Sequence, residues 1–124
     1  MRATGRRTPA QSSGGAAEEA AARFLAHEGL ELLARNYRTR LGEIDLIGRD
    51  GATLVFVEVR LRRSAGYGGA VESITARKRA RLVAAANGYL AMLGREPPCR
   101  FDAILMRALD PATIEWRKDV VGVD

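Results

Sequence analysis

Two acidic residues, Asp45 and Glu58, sit inside apolar runs where a carboxylate is out of place unless it has work to do. Glu58 lies within Val55-Phe56-Val57-Glu58-Val59, and Asp45 lies between Ile44 and Leu46. A carboxylate buried in such surroundings is costly unless it is paired or holds a metal. The segments Glu43 to Arg49 and Thr53 to Arg62 have strand character, and Asp50-Gly51 between them is a strong hairpin signal. An even loop centred on Asp50-Gly51 pairs residues whose numbers sum to 101, which sets Asp45 opposite Phe56 with Glu58 as its diagonal neighbour. Side chains alternate faces along a strand, so Asp45, Glu58 and Arg60 point the same way. The two carboxylates and the arginine are then expected about 5–8 Å apart at their Cβ atoms.

That grouping suits phosphodiester cleavage, which uses a divalent cation to neutralise phosphate charge and activate water. Mg²⁺ prefers oxygen ligands and takes one or two carboxylates from a protein. Asp45 and Glu58 fit that task with Mg²⁺ or Mn²⁺, and the Val59 carbonyl is a possible third ligand. A further carboxylate, such as Glu18 from a preceding helix, could orient the water. Taken singly, each acid is equally at home on a solvated strand paired with arginine; the apolar flanks favour a site.

The elements that must position these groups follow from pattern. Ser12 or Ser13 can cap a helix from about Gly15 to His27, ended by Gly29, with Ala17, Ala21, Phe24 and Leu25 as its core stripe. Glu18 falls on the edge of that stripe. Leu30 to Tyr37 reads as a strand, with Asn36 and the Arg38 to Gly42 segment making a turn before the hairpin. Ser64 to Gly69 is a loop, one candidate cover for the site, with Tyr67 available to stack on a base. Ser73 or Thr75 caps a second helix reaching about Leu93, with Leu82, Ala85, Ala86, Tyr89, Leu90 and Leu93 at core spacing. Gly94, Pro97 and Pro98 stop it. Arg100 to Arg107 and Thr113 to Val121 read as two more strands, giving the order α-β-β-β-α-β-β, an α/β fold with a mixed sheet flanked by helices. His27 and Trp116 are read as structural and Cys99 as a small core residue. Asp102 is a further acid near the sheet, left outside the site.

Composition bounds the function. The 124 residues suit one domain, 14–124, behind a disordered basic tail, 1–13. No apolar run approaches the roughly 20 residues of a membrane span. No apolar stretch follows the first arginines, and a single cysteine gives no disulfide framework, so the cytoplasm is expected and no membrane partner. The net charge is +5, from 18 arginines and two lysines set against 15 acids. Outside the tail, basic residues cluster at Arg35, Arg38 and Arg40, at Arg60, Arg62 and Arg63, and at Arg77, Lys78, Arg79 and Arg81. One reading is solvated faces; the other is a surface for phosphates, which arginine forks bind bidentately.

The stretch GEIDLIGRDGATLVFVEVRLRR, Gly42 to Arg63, resembles the signature of the YraN-like family of uncharacterised bacterial proteins. Further matches stand at Glu18, Ala21, Phe24, Leu25, Arg35-Asn36, Lys78 and Cys99-Arg100-Phe101-Asp102. That family is similar to the PD-(D/E)xK nucleases, and in outline to Holliday-junction resolvases. The resemblance implies a restriction-endonuclease-like core and catalytic acids at Asp45, Glu58 and Glu18, with Glu19 as fallback. Ile44 stands where the superfamily motif has proline, and Arg60 where it has lysine. Lysine can exchange a proton, whereas arginine stays charged. Arg60 is therefore expected to clamp a phosphate, and Lys78 is a candidate for the missing amine. The expectation is a metal-dependent nuclease, on DNA in preference to RNA, with Arg60, Arg62, Arg63 and Lys78 on the nucleic acid. The alternative is a nucleic-acid-binding module that has lost the chemistry. A weaker third reading is a salt-bridge network with Arg60 and Arg62. Resolvase likeness suggests a homodimer.

Overall fold

The computed structural model of the chain describes residues 12–61 and 75–121. In order they form α1 (Ser12–His27), β1 (Glu31–Arg38), β2 (Glu43–Asp50), β3 (Thr53–Leu61), α2 (Ala76–Leu93), β4 (Cys99–Met106), a short 3-10 turn (Pro111–Thr113) and β5 (Glu115–Arg117). The expected order holds. The N-terminal residues before Ser12, the Ser64 to Gly69 loop with Tyr67, Ser73, Arg62 and Arg63 all lie outside the described residues.

Five strands form one sheet in the order β1-β2-β3-β4-β5. Neighbours run antiparallel except β3 and β4, which are parallel and joined through α2. A parallel pair needs such a crossover, and the helix covers the face it crosses. The other face is covered by α1, which buries Ala17, Ala21, Ala22 and Leu25 against Leu46, Val55, Val57, Ile104 and Met106. Opposite, α2 buries Leu82, Ala85, Ala86 and Tyr89 against Ile44, Ile47, Leu54 and Phe56. Both expected helix stripes are thus the buried ones, with Phe24, Leu90 and Leu93 at their margins.

Helix ends follow local chemistry. Thr75 caps α2, its side chain accepting from the Lys78 N–H, and Gly94 closes the helix at φ 76°. Gly29, at φ 100°, closes α1, and the Leu30 N–H donates to the Leu25 carbonyl at 2.9 Å. The helix starts at Ser12, earlier than the Gly15 expected, so Ser12 and Ser13 lie within it. The last strand is shorter than the 113–121 expected: Asp110-Pro111 starts a 3-10 turn and Asp119 takes a left-handed backbone, φ 58°, so only three residues stay extended. Cys99 is exposed, not core, because it opens β4 at the end of the sheet and its thiol donates to the Pro97 carbonyl.

The hairpin is two residues out of its expected register. Asp50 pairs with Thr53 and Leu46 with Val57, so the loop is Gly51-Ala52. Gly51 holds a positive φ of 62° in the first loop position, as a type II′ turn requires. A shift of two leaves every side chain on its face.

One turn fixes α2 against this hairpin. Thr39 Oγ1 accepts from the N–H groups of Leu41 and Gly42, at 3.0 and 3.1 Å. A Cβ on Gly42 would lie 2.1 Å from the Arg81 carbonyl oxygen, backbone against backbone. Gly42→Ala should therefore push α2 away and cost about 1–3 kcal/mol or more by overpacking. A thermal melt checks this; an unchanged midpoint would show that the contact gives way freely.

Candidate active site at the fork of β2 and β3

The β2–β3 ladder ends at Leu46↔Val57. One more step of that register would set Asp45 directly across from Glu58, but there the strands part. The cause lies on β1. Arg35 pairs with Leu46 and Tyr37 with Ile44, which leaves Asn36 across from Asp45. Asn36 is left-handed, φ 50°, a conformation that asparagine tolerates well. Ala34 and Tyr37, and likewise Ile44 and Ile47, consequently face the same α2-side core at a spacing of three instead of two. Alternation breaks at this step, and β2 leaves β3. The Asp45 side chain fills the gap, its Oδ2 accepting from the Val59 N–H at 2.8 Å in place of strand backbone.

The fork opens a pocket of about 360 Å³ lined by Ala17 and Glu18 of α1, Glu43 and Asp45 of β2, Glu58 to Leu61 of β3, and Lys78 of α2. The structure thus brings together Glu18, Asp45, Glu58, Arg60 and Lys78, five of the residues singled out in the sequence. Glu19 is elsewhere, bonded to Arg35 at 2.7 Å and Arg23 at 3.0 Å on the surface, so the fallback helix frame does not apply. Glu43 is an addition. It stands two residues before Asp45 on the same strand, a spacing visible in the sequence, and it also pairs with Arg38.

The electrostatics are those of acids crowded together. Burial pushes the Asp45 carboxyl up, and Glu43 adds to this; the Val59 N–H and the hydrogen-bonded Glu18 and Glu58 carboxyls pull against it. Burial, reinforced by the Asp45 charge, pushes Glu58 up to about 7, while Arg60 and Lys78 oppose the rise. A hydrogen bond between two carboxyl groups needs a proton on one of them, which the upward shift of Glu58 favours. Arg60 Nε lies 3.3 Å from Glu58 Oε2. Yet its Nε and Nη2 are buried without a hydrogen-bond partner among the described residues.

The donor set is all oxygen, the preference of Mg²⁺ and Mn²⁺. Burial and crowding raise both the Asp45 and Glu58 carboxyls, and a divalent ion would offset the same cost of charge, so the residues fit one. Among the described residues no three acidic, histidine or cysteine side chains are set to enclose one. The fit is thus to an ion that takes one or two carboxylates and fills its remaining positions with water and phosphate, as Mg²⁺ does.

The other buried acid has a different character. Asp102, 1% exposed, accepts from Arg100 Nε, Trp116 Nε1 and the Asp119 N–H at 2.9–3.1 Å. All its partners belong to β4, β5 and the segment after them, so it fastens these together.

Fold and site define a mixed-sheet α/β protein with an acidic pocket at a strand fork. The chain belongs to the uncharacterised protein family UPF0102, the YraN-like family, whose sequence model matches residues 17–106. That span runs from the first pocket residue on α1 to the end of β4. A UPF0102 protein of Methylobacillus flagellatus is 52% identical over 103 residues, covering 83% of this chain and 90% of its own. Another, from Nitrosospira multiformis, is 50% identical over 111 residues, covering 90% and 93%. A third, from Ralstonia nicotianae, is 52% identical over 120 residues, covering 93% and 90%.

Proposed function

We propose that the chain is a metal-dependent nuclease that hydrolyses phosphodiester bonds in nucleic acid, DNA in preference to RNA. One observation carries this reading: crowded, half-buried carboxyls share a pocket with a guanidinium that pairs with Glu58 through Nε while its buried Nη2 has no hydrogen-bond partner among the described residues. A purely structural salt-bridge network would satisfy Arg60, because buried donors are rarely left unpaired. Here the Nη2 amino group is left without a hydrogen-bond partner among the described residues, and Arg–phosphate bonding is among the stronger charge-assisted kinds. The likeness of the hairpin to the PD-(D/E)xK motif, and of the fold to a restriction-endonuclease core, supports the same conclusion.

In this reading Asp45 and Glu58 hold Mg²⁺ or Mn²⁺, which when bound neutralises phosphate charge and activates water. The Val59 N–H fixes Asp45 by one oxygen and so orients it. Glu18, hydrogen-bonded to Asp45 from α1, steadies the acidic edge of the pocket. Arg60 grips the scissile phosphate, and Lys78 brings a second positive charge from the start of α2. Arg62 and Arg63, next in the sequence, are assigned to the nucleic acid as well. The cytoplasm is the proposed location; among the described residues no helix is long and apolar enough to cross a membrane. A homodimer is proposed for duplex substrates, since cutting both strands takes two sites.

A binding module without chemistry is the second reading, favoured by Arg60 itself: arginine does not give up its proton in proteins, so it cannot serve as a base. The deciding experiment offers linear duplex, single strand, four-way junction and RNA to the protein with Mg²⁺, Mn²⁺ or EDTA, alongside Asp45→Asn. Cleavage that needs metal and Asp45 is the expected result. Binding without cleavage, equal or tighter in Asp45→Asn, would establish the binding module instead.

A further inference from the structure

Arginines differ sharply in how they are spent on this surface. Arg23, Arg35, Arg38 and Arg49 are each held by a glutamate on α1, β1 or β2. Arg40, Arg77, Arg79 and Arg81 are all exposed, and among the described residues none of them has an ion pair or side-chain hydrogen bond. These four stand on two elements that touch. The turn carrying Arg40 packs on α2 through Gly42, whose added Cβ would meet the Arg81 backbone. Arg77 and Arg81, one helical turn apart, share a flank of α2, and Arg79 projects to the other.

Both elements are rigid here. Thr39 pins the turn with its hydroxyl, and Thr75 caps the helix. Both also run into the pocket, through Glu43 at the end of the turn and Lys78 on the first turn of α2. The first turn of α2 has no acidic residue. Positive side chains there oppose the helix dipole, an arrangement that an anion would relieve. At the tip of the turn Leu41 is 66% exposed, beside the arginines, and offers an apolar contact to a sugar or base.

We infer that Arg40, Arg77 and Arg81 form a phosphate-binding platform along which the substrate strand runs before it enters the pocket. The inference rests on the nucleic-acid reading above and extends it to a surface outside the acidic site. The platform acts on sequence-independent backbone contacts, so it governs affinity and its salt dependence and leaves the chemistry to the pocket.

The test measures filter binding of a radiolabelled duplex in EDTA across a salt series, which separates binding from cleavage. The triple variant Arg40→Gln, Arg77→Gln, Arg81→Gln is compared with wild type and with Arg95→Gln, Arg107→Gln, which removes two exposed arginines at other places in the fold. Each duplex phosphate contact contributes about 0.9 to the slope of log affinity against log salt. The triple variant is expected to lose about 2–3 from that slope and the control variant essentially nothing, with all three proteins showing the same thermal midpoint. A triple variant that keeps the wild-type slope overturns the platform, even if wild type cuts the duplex and the nuclease reading stands. So does a control variant that loses as much as the triple. Wild type that binds no nucleic acid at all overturns both readings together.

Discussion

Glu58→Gln should raise the melting temperature of the metal-free protein at pH 8 while reducing cleavage to the level of an EDTA control. The Glu58 carboxyl is held up to about 7 by burial and by Asp45, against an ordinary value of 4.5. Between those values the folded protein binds more protons than the unfolded chain, so stability falls as pH rises through that window. Above the folded pKa the loss is complete, on the order of 3 kcal/mol. Glutamine carries no charge and keeps a donor for Asp45, so it escapes that loss. A gain of about 2 kcal/mol is expected at pH 8, and almost none at pH 4, where Glu58 is protonated in both states. Mg²⁺ should stabilise wild type by mass action and leave the variant unmoved. A variant that melts below wild type at pH 8, or still cuts, would remove Glu58 from the role assigned here. The contrast matters because a carboxylate kept only for structure would cost stability when replaced.

Asp102→Ala should do the opposite, destabilising by about 3–5 kcal/mol with no special dependence on metal. Alanine strands three donors at once: the Arg100 guanidinium, the Trp116 indole and the Asp119 N–H. Arg100 is the most expensive of these, since its Nη2 is already buried without a hydrogen-bond partner among the described residues, and Asp50 would be its one remaining ion-pair partner. Asp102→Asn keeps an acceptor oxygen for the indole and should lose less. Urea denaturation measures both variants; a loss under about 1 kcal/mol for alanine would mean that water or a neighbouring acid replaces the carboxylate.

The sequence made the sheet, the two helix stripes and the acids of the site legible because each rests on local pattern. Asp45 and Glu58 stand out as charges in apolar runs, and Thr75 and Gly94 announce the ends of α2. The register differs from expectation because Asp50-Gly51 is a good loop centre on composition, whereas the glycine is needed at the first loop position. Both frames bury the same residues, so hydrophobic pattern cannot separate them. The fork was not legible. It depends on Asn36 taking a left-handed backbone in the middle of a strand, and on a side chain, Asp45, replacing a rung of the ladder. Pattern places Asn36 in a turn, which matches its conformation but not its element, since it lies within β1. Nor does a linear pattern show that Gly42 sits against Arg81, the contact that joins the basic turn to the basic helix.

Trp116 is the sole tryptophan in the chain. Its indole stacks edge-on with Phe24 of α1, lies under the Lys118 ammonium, and donates to the buried Asp102 carboxylate. The helix that supplies Glu18 to the pocket is therefore wired to a natural fluorophore at the β5 edge of the sheet. Its emission is expected to report the seating of that helix in the unlabelled protein, an optical handle on the acidic pocket that needs neither tags nor turnover.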